Sequence, residues 1–226
     1  MSTITFDGVS HAFGERSVLR DIRLSLTEHR IGIVGANGSG KSTLVRMING
    51  LVTPTSGTVT VDGLNVARSA REVRRLVGFI FTNPDNQIVM PTVQEDVSFT
   101  LRRRGLSAGE ITERTAVALE QFGLAALAEH PAHRLSGGQK QLLALAAVLV
   151  AEPQVVVADE PTTLLDARNA RRISEVLQTL SQQVIVVTHQ LELVEEFDRV
   201  IVIEDGQVVA DGAPAGALTA YRTLLA

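Results

Sequence analysis

The chain has 226 residues and carries 21 lysines and arginines against 25 aspartates and glutamates, a formal net charge of −4. That length suits one large domain or a domain with a smaller insertion, and the acidic balance excludes a nucleic-acid grip that works by phosphate neutralisation. With no cysteine, disulfides and thiolate metal centres are excluded too, as suits a reducing cytoplasm.

The first residues, Met1-Ser2-Thr3-Ile4-Thr5-Phe6-Asp7-Gly8, have neither the basic start nor the apolar stretch of a signal peptide. Alternation over residues 3–6 and 22–26 predicts half-exposed strands, and residues 58–61, followed by Asp62-Gly63, predict another. Between the second and third of these, Ile31-Gly32-Ile33-Val34 leads into Gly35-Ala36-Asn37-Gly38-Ser39-Gly40-Lys41-Ser42, and Thr43-Leu44-Val45-Arg46-Met47-Ile48 opens a helix. A buried strand turning sharply into a helix is the setting in which G-x-x-x-x-G-K-S acts as a phosphate loop. From Asn37 and Gly38 through Ser39, Gly40, Lys41 and Ser42 to Thr43, backbone N–H groups form an anion nest on a positive helix end. Lys41 supplies charge to the β- and γ-phosphates, Ser42 a hydroxyl for Mg²⁺, and Thr43 a hydroxyl for the α-phosphate. The chain is expected to bind ATP or GTP.

Over residues 83–152 strand patterns vanish, and stretches such as 111–122 and 139–150 are helical. These residues are expected to form a helical subdomain inserted in a core built from 1–82 and 153–226. Two basic clusters, Arg71, Arg74 and Arg75 and then Arg102, Arg103 and Arg104, are assigned to solvated helix faces. The longest apolar span, residues 142–151, is far short of the roughly 20 residues that cross a bilayer. The chain is expected to be soluble by itself and to dock on a membrane protein.

A second constellation follows. Leu135-Ser136-Gly137-Gly138-Gln139-Lys140 opens a helix, so a hydroxyl and glycine N–H groups sit on another positive helix end and make a second phosphate cradle. Val155-Val156-Val157-Ala158-Asp159-Glu160-Pro161 sets two carboxylates where a buried strand ends, the place at which open α/β sheets present ligands. Leu164-Leu165-Asp166 and Thr188-His189 come next. The continuous β-branched runs at 155–158, 184–187 and 200–203, with helical residues 167–180 between them, predict parallel strands covered on both faces.

In order and spacing these motifs resemble the ATP-binding-cassette (ABC) ATPases over essentially the whole chain. The resemblance implies an α/β fold: a P-loop NTPase core with a mainly parallel sheet, helices on both faces, an N-terminal antiparallel β subdomain and the inserted helical subdomain. It also implies two copies, identical or paralogous, paired head to tail, with ATP on one phosphate loop closed over by Ser136, Gly137, Gly138 and Gln139 of the other. Asp159 would hold Mg²⁺ through water, and Glu160 would be the general base. His189 would bond the γ-phosphate and the attacking water. Asp166 would lie in the cross-dimer link, Phe13 would stack on adenine and Val18 would pack beside the ribose. His11, His29, His130 and His133 are given surface or structural roles.

Phe79-Ile80-Phe81-Thr82-Asn83-Pro84-Asp85-Asn86-Gln87, with Pro91-Thr92-Val93-Gln94-Glu95-Asp96-Val97-Ser98-Phe99 after it, is similar to the energy-coupling-factor importer ATPases, which drive vitamin and transition-metal uptake. In that family a glutamine follows the final phenylalanine; here Thr82 stands there, with a hydroxyl for Mg²⁺ or its water, and Gln87 is a substitute if the loop folds back. Leu164 replaces a usually small residue, so dimer packing there is expected to differ. The resemblance makes Gln94, Glu95, Asp96 and Phe99 a surface for a transmembrane coupling protein, beside a substrate-binding membrane subunit, and places the chain on the cytoplasmic face of the membrane with no nucleic-acid partner. Biotin, weakly favoured by Thr82, and then cobalt or nickel ions are the expected cargo. A soluble cassette ATPase of DNA repair or translation, and the ATPase of a conventional transporter, remain alternatives at this point.

Overall fold

The structure is a computed structural model and describes residues 1–102 and 104–225; Arg103 of the second basic cluster lies outside the described residues. In chain order the strands and α-helices are β1 (Ile4–Phe13), β2 (Arg16–Leu26), β3 (Arg30–Val34), α1 (Lys41–Ile48), β4 (Ser56–Val61), β5 (Leu64–Asn65), α2 (Ala70–Leu76), β6 (Val77–Ile80), α3 (Val93–Leu101), α4 (Ala108–Gln121), α5 (Gly137–Leu149), β7 (Val155–Asp159), α6 (Ala167–Thr179), β8 (Gln183–Val187), β9 (Arg199–Glu204), β10 (Gln207–Gly212) and α7 (Pro214–Leu225). Contacts divide the chain into two units, Met1–Phe79 with Gln154–Glu160 and Leu180–Ala226, and Ile80–Pro153 with Pro161–Thr179.

The first unit contains an antiparallel sheet in the order β2-β1-β4-β5. Its alternation is the physical cause: Ile4 and Phe6 are buried while Thr3 and Asp7 face solvent, so one face joins a core and the other stays wet. The other sheet runs β10-β9-β3-β8-β7-β6. Its strands β9, β3, β8 and β7 are parallel, and β10 is antiparallel to β9. Every residue in 155–158, 184–187 and 200–203 is 0% exposed, as continuous apolar strands require when both faces are covered. Burying each of the Val and Ile side chains is worth about 1.5–3 kcal/mol, so these strands anchor the unit. α1 packs on β7 and β8, and α7 on β9 and β10.

Register carries this sheet toward function. Ile33 pairs with Val187 across β3 and β8, and Asp159 pairs with the same Val187 across β7 and β8. The carboxyl ends of the three strands are therefore level. The phosphate loop leaves one, Asp159-Glu160 leaves the next and Thr188-His189 leaves the third.

The second unit is helical; its only isolated bridge among the described residues joins Thr92 to Pro131. Residues 161–179, placed with the core by their position in the sequence, fall in this unit because α6 packs on α5. Helix α5 is buried along most of its length, Leu142 to Ala146 included, as expected of a helix apolar all round. Reciprocal capping boxes start three helices, with Thr92 and Glu95 at α3, Ser107 and Glu110 at α4, and Ser136 and Gln139 at α5. Each pair satisfies backbone donors that a helix start leaves unbonded.

These caps bear on the surface expected to meet a coupling protein. Glu95 is half-buried, and its Oε2 accepts from Thr92 N at 3.1 Å and Thr92 Oγ1 at 2.8 Å. Asp96 is buried, and its Oδ1 accepts from Val89 N at 2.8 Å and Met90 N at 3.0 Å. Burial pushes its carboxyl above the usual range, and the two N–H groups pull the other way. Both side chains organise the loop before α3. Of the four residues expected to meet a partner, Phe99 is the exposed one, with the Arg102 guanidinium 5.9 Å over its ring.

Candidate functional site

The loop between β3 and α1 has its backbone dictated by glycine. Gly40 caps α1 with φ 105°, a left-handed value that side chains resist, and a Cβ there would lie 2.8 Å from both Leu19 Cδ2 and Val18 O. Behind it Ser39 Oγ is buried and has no hydrogen-bond partner. An unpartnered buried hydroxyl in a nest of N–H groups suits a phosphate oxygen. Lys41 folds its ammonium back on the loop, donating to Gly35 O at 2.7 Å and Ala36 O at 2.8 Å. Burial draws Lys41 below the usual lysine range, opposed by the negative charges of Glu160, Asp159 and Glu204.

This loop borders a cavity of about 380 Å³ lined by Phe13, Val18, Asn37, Gly38, Gly40, Lys41, Ser42, Thr43 and Glu160. Every one of these was a sequence-level candidate. Phe13 is 57% exposed, with the His11 ring nearly perpendicular to it at 4.6 Å between ring centroids. Arg16 also lines the cavity and escaped the sequence analysis. It pairs with Phe13 across the β1–β2 turn, so the short Phe13-Gly14-Glu15-Arg16 hairpin was the available signal.

Behind Ser42, Asp159 is fully buried. Its Oδ1 accepts from Ser42 Oγ at 2.7 Å, and its Oδ2 accepts from Arg46 Nη2 at 2.9 Å. A hydroxyl and a carboxylate are hard oxygen donors that fit Mg²⁺, which keeps most of its waters and takes few protein ligands. The described residues hold no group of three or more His, Cys, Asp or Glu able to hold a metal. Arg46 is a second residue the motifs did not single out.

Glu160 follows with φ 53°, a left-handed conformation that costs a non-glycine residue of order 1–3 kcal/mol. Its N–H still reaches Val187 O at 2.9 Å, so the chain leaves the sheet only after this residue. His189 Nδ1 lies 2.8 Å from Glu160 Oε2. The first unit thus brings together Phe13, Val18, the phosphate loop, Asp159, Glu160 and His189.

The remaining candidates belong to the second unit. Ser136 Oγ accepts from Gln139 N at 3.3 Å, while Gln139 Oε1 accepts from Ser136 N at 2.9 Å. Capping uses a lone pair of the Ser136 hydroxyl and leaves its hydrogen to donate. Ser136 and Gly137 are exposed and Gly138 is buried, because a Cβ on Gly138 would lie 2.3 Å from Asn169 Cγ. Asn169 in turn donates to Asp166 from its backbone N at 2.8 Å and from Nδ2 at 2.9 Å. Those bonds, the backbone one first, hold the Asp166 carboxyl below its usual range. Asn169, missed in the sequence, therefore ties Asp166 to the glycine motif.

Thr82 lies in this unit as well. Gln87 does fold back, but its Oε1 accepts from Phe81 N at 3.3 Å and its Nε2 donates to Ala144 O at 3.2 Å. Its amide braces the loop against α5. Between α3 and α4 lies a groove of about 580 Å³. No helix among the described residues is long and apolar enough to cross a membrane.

The family model of the ABC transporter matches residues 19–163. The biotin transport ATP-binding protein BioM of Rhizobium etli is 44% identical over 99% of this chain and 99% of its own length. The energy-coupling factor transporter ATP-binding protein EcfA1 of Caldanaerobacter subterraneus is 42% identical over 87% of this chain and 74% of its own. Among solved structures, CbiO1 of Clostridium perfringens, part of the ABC transporter complex CbiONQ, superposes with a TM-score of 0.84 at 31% identity, covering 98% of this chain and 92% of that one. With its phosphate loop, glycine motif and paired carboxylates all in place, the chain belongs to the ABC transporter ATPases, among the ATP-binding subunits of energy-coupling-factor type.

Proposed function

We propose that this ATPase powers an importer for biotin, working as a head-to-tail pair of cassettes on the cytoplasmic face of a membrane complex. The observation that carries the catalytic part is the cluster at the ends of β3, β7 and β8: a buried Asp159 bonded to Ser42, and beside it Glu160 bonded to His189. Ser42 and Asp159 would hold Mg²⁺. When bound, the cation would add positive charge to the phosphate oxygens.

The chain's own groups supply the rest. Lys41 turns from the loop carbonyls to the β- and γ-phosphates, and Phe13 stacks on the base. Glu160 takes a proton from the attacking water, and His189, through Nδ1, holds the Glu160 carboxylate in place. The exposed Ser136 and Gly137 at the start of α5 close over ATP carried by the second copy.

Biotin is favoured over cobalt because the biotin-transport relative matches this chain nearly end to end. The membrane partner is assigned to the groove between α3 and α4. Ile111, Ala116 and Leu119 line its apolar part and Glu120 also borders it, while Thr115 Oγ1, buried without a partner, lies in its wall. A helix of a coupling protein that brings a hydrogen-bond acceptor and an arginine would satisfy both.

The direct test is co-purification from membranes with mass spectrometry of the partners, followed by ATP-dependent uptake in vesicles. Biotin uptake is the expected result. Cobalt or nickel uptake would overturn the cargo, and a DNA or ribosome partner would overturn the transporter role.

A further inference from the structure

The Asp159 carboxylate has a second cation built beside it. Ser42 and Arg46 are four residues apart on α1, so they share one face of the helix. Ser42 Oγ reaches Asp159 Oδ1 at 2.7 Å, and Arg46 Nη2 reaches Oδ2 at 2.9 Å. The contact is one-ended. Arg46 Nε is buried and has no partner, while the side chain as a whole remains 40% exposed and that of Asp159 is 0% exposed. Arg46 thus brings a guanidinium to a carboxylate that is shut off from water.

We propose that Arg46 is a positioning residue for the divalent-cation site. It holds Asp159 Oδ2 and so keeps Oδ1 turned to Ser42 while no cation is bound, and it sets cation affinity by sharing the same carboxylate. The inference rests on the assignment of Ser42 and Asp159 to that site. Two positive charges on one carboxylate repel each other, strongly where water is excluded. Arg46 therefore lowers affinity for the divalent ion while making the empty site stable. Its one-ended grip suits that sharing, since a bidentate clamp would hold the carboxylate in a single orientation.

The test is a titration with Mn²⁺ in the presence of ADP, read by electron paramagnetic resonance. Wild type, Arg46→Gln and Arg46→Lys are compared, with thermal melting in EDTA alongside. Arg46→Gln should bind Mn²⁺ at least about threefold more tightly and melt lower in EDTA, with the melting difference shrinking once Mn²⁺ and ADP are added. Arg46→Lys should restore both values. Unchanged or weaker Mn²⁺ binding by Arg46→Gln would overturn the proposal, as would an equal melting loss with and without the cation. Absence of any nucleotide-dependent Mn²⁺ binding by the wild type would instead remove the underlying site assignment.

Discussion

His189 Nδ1 sits 2.8 Å from Glu160 Oε2, so the histidine at the end of one buried strand orients the carboxylate at the end of its neighbour. The side chain of Glu160 is 14% exposed and that of His189 is 47% exposed. The carboxylate is thus the sheltered member of the pair and the imidazole the one open to solvent. That arrangement gives the proposed base a fixed direction without removing it from the cavity it lines.

Replacing Glu160 by glutamine keeps its shape and its bond to His189 but removes the proton acceptor. Hydrolysis should fall by about 10²–10⁴-fold, the contribution of a general base, while ATP binding persists. Phosphate release and equilibrium nucleotide binding measured on the same preparation check this, and near-normal turnover would remove Glu160 from the role.

Lys41→Ala acts on binding. It removes the charge aimed at the phosphates together with the donor now held by Gly35 and Ala36. Nucleotide affinity should drop at least tenfold, about 1.4 kcal/mol, in a fluorescent-nucleotide titration, and unchanged affinity would contradict the cradle. Arg16→Ala should weaken binding less, since that residue is exposed at the cavity edge.

Asp96 predicts a pH dependence. Burial raises its folded-state value above the ordinary 3.8, so the native chain keeps a proton that the unfolded chain has released. Stability from this group is complete below the ordinary value and is lost as pH rises through the raised one. As pH rises above the ordinary 3.8, wild type should lose melting temperature relative to Asp96→Asn. Asp96→Lys should cost about 3 kcal/mol or more, because an uncompensated buried cation replaces an acceptor.

Gln87→Leu removes both the acceptor for Phe81 N and the donor for Ala144 O. The second unit should lose about 1–3 kcal/mol. Chemical denaturation and faster hydrogen exchange at the Phe81 amide would register it, and an unchanged exchange rate would mean the brace is unimportant.

Ala116 is exposed on the wall of the α3–α4 groove. Ala116→Trp should fill it and abolish co-purification with the membrane partner while nucleotide binding stays intact. Retained assembly would move the docking surface elsewhere.

Much of the site was legible because its chemistry is local. The phosphate loop, the glycine motif at 135–140 and the Asp159-Glu160 pair each occupy a few consecutive residues whose types are demanded by phosphate and cation binding. The buried strands were legible for a similar reason, since continuous β-branched runs have few other destinations. Strand β10 was not, because its residues alternate between exposed and half-buried and leave little apolar periodicity to detect.

Sequence alone determined that this chain carries the motifs of a nucleotide-binding ATPase, because each motif encodes its chemistry in the spacing of neighbours. Only the tertiary structure decided how the charges are paired. It set Arg46 against Asp159 across 113 positions, joined Glu160 to His189 across 29, and turned Asp96 inward onto two backbone amides although its composition suggested a surface acid. Whether a charged side chain meets solvent, a partner or another side chain depends on burial and on contacts distant in sequence, and local patterns carry neither.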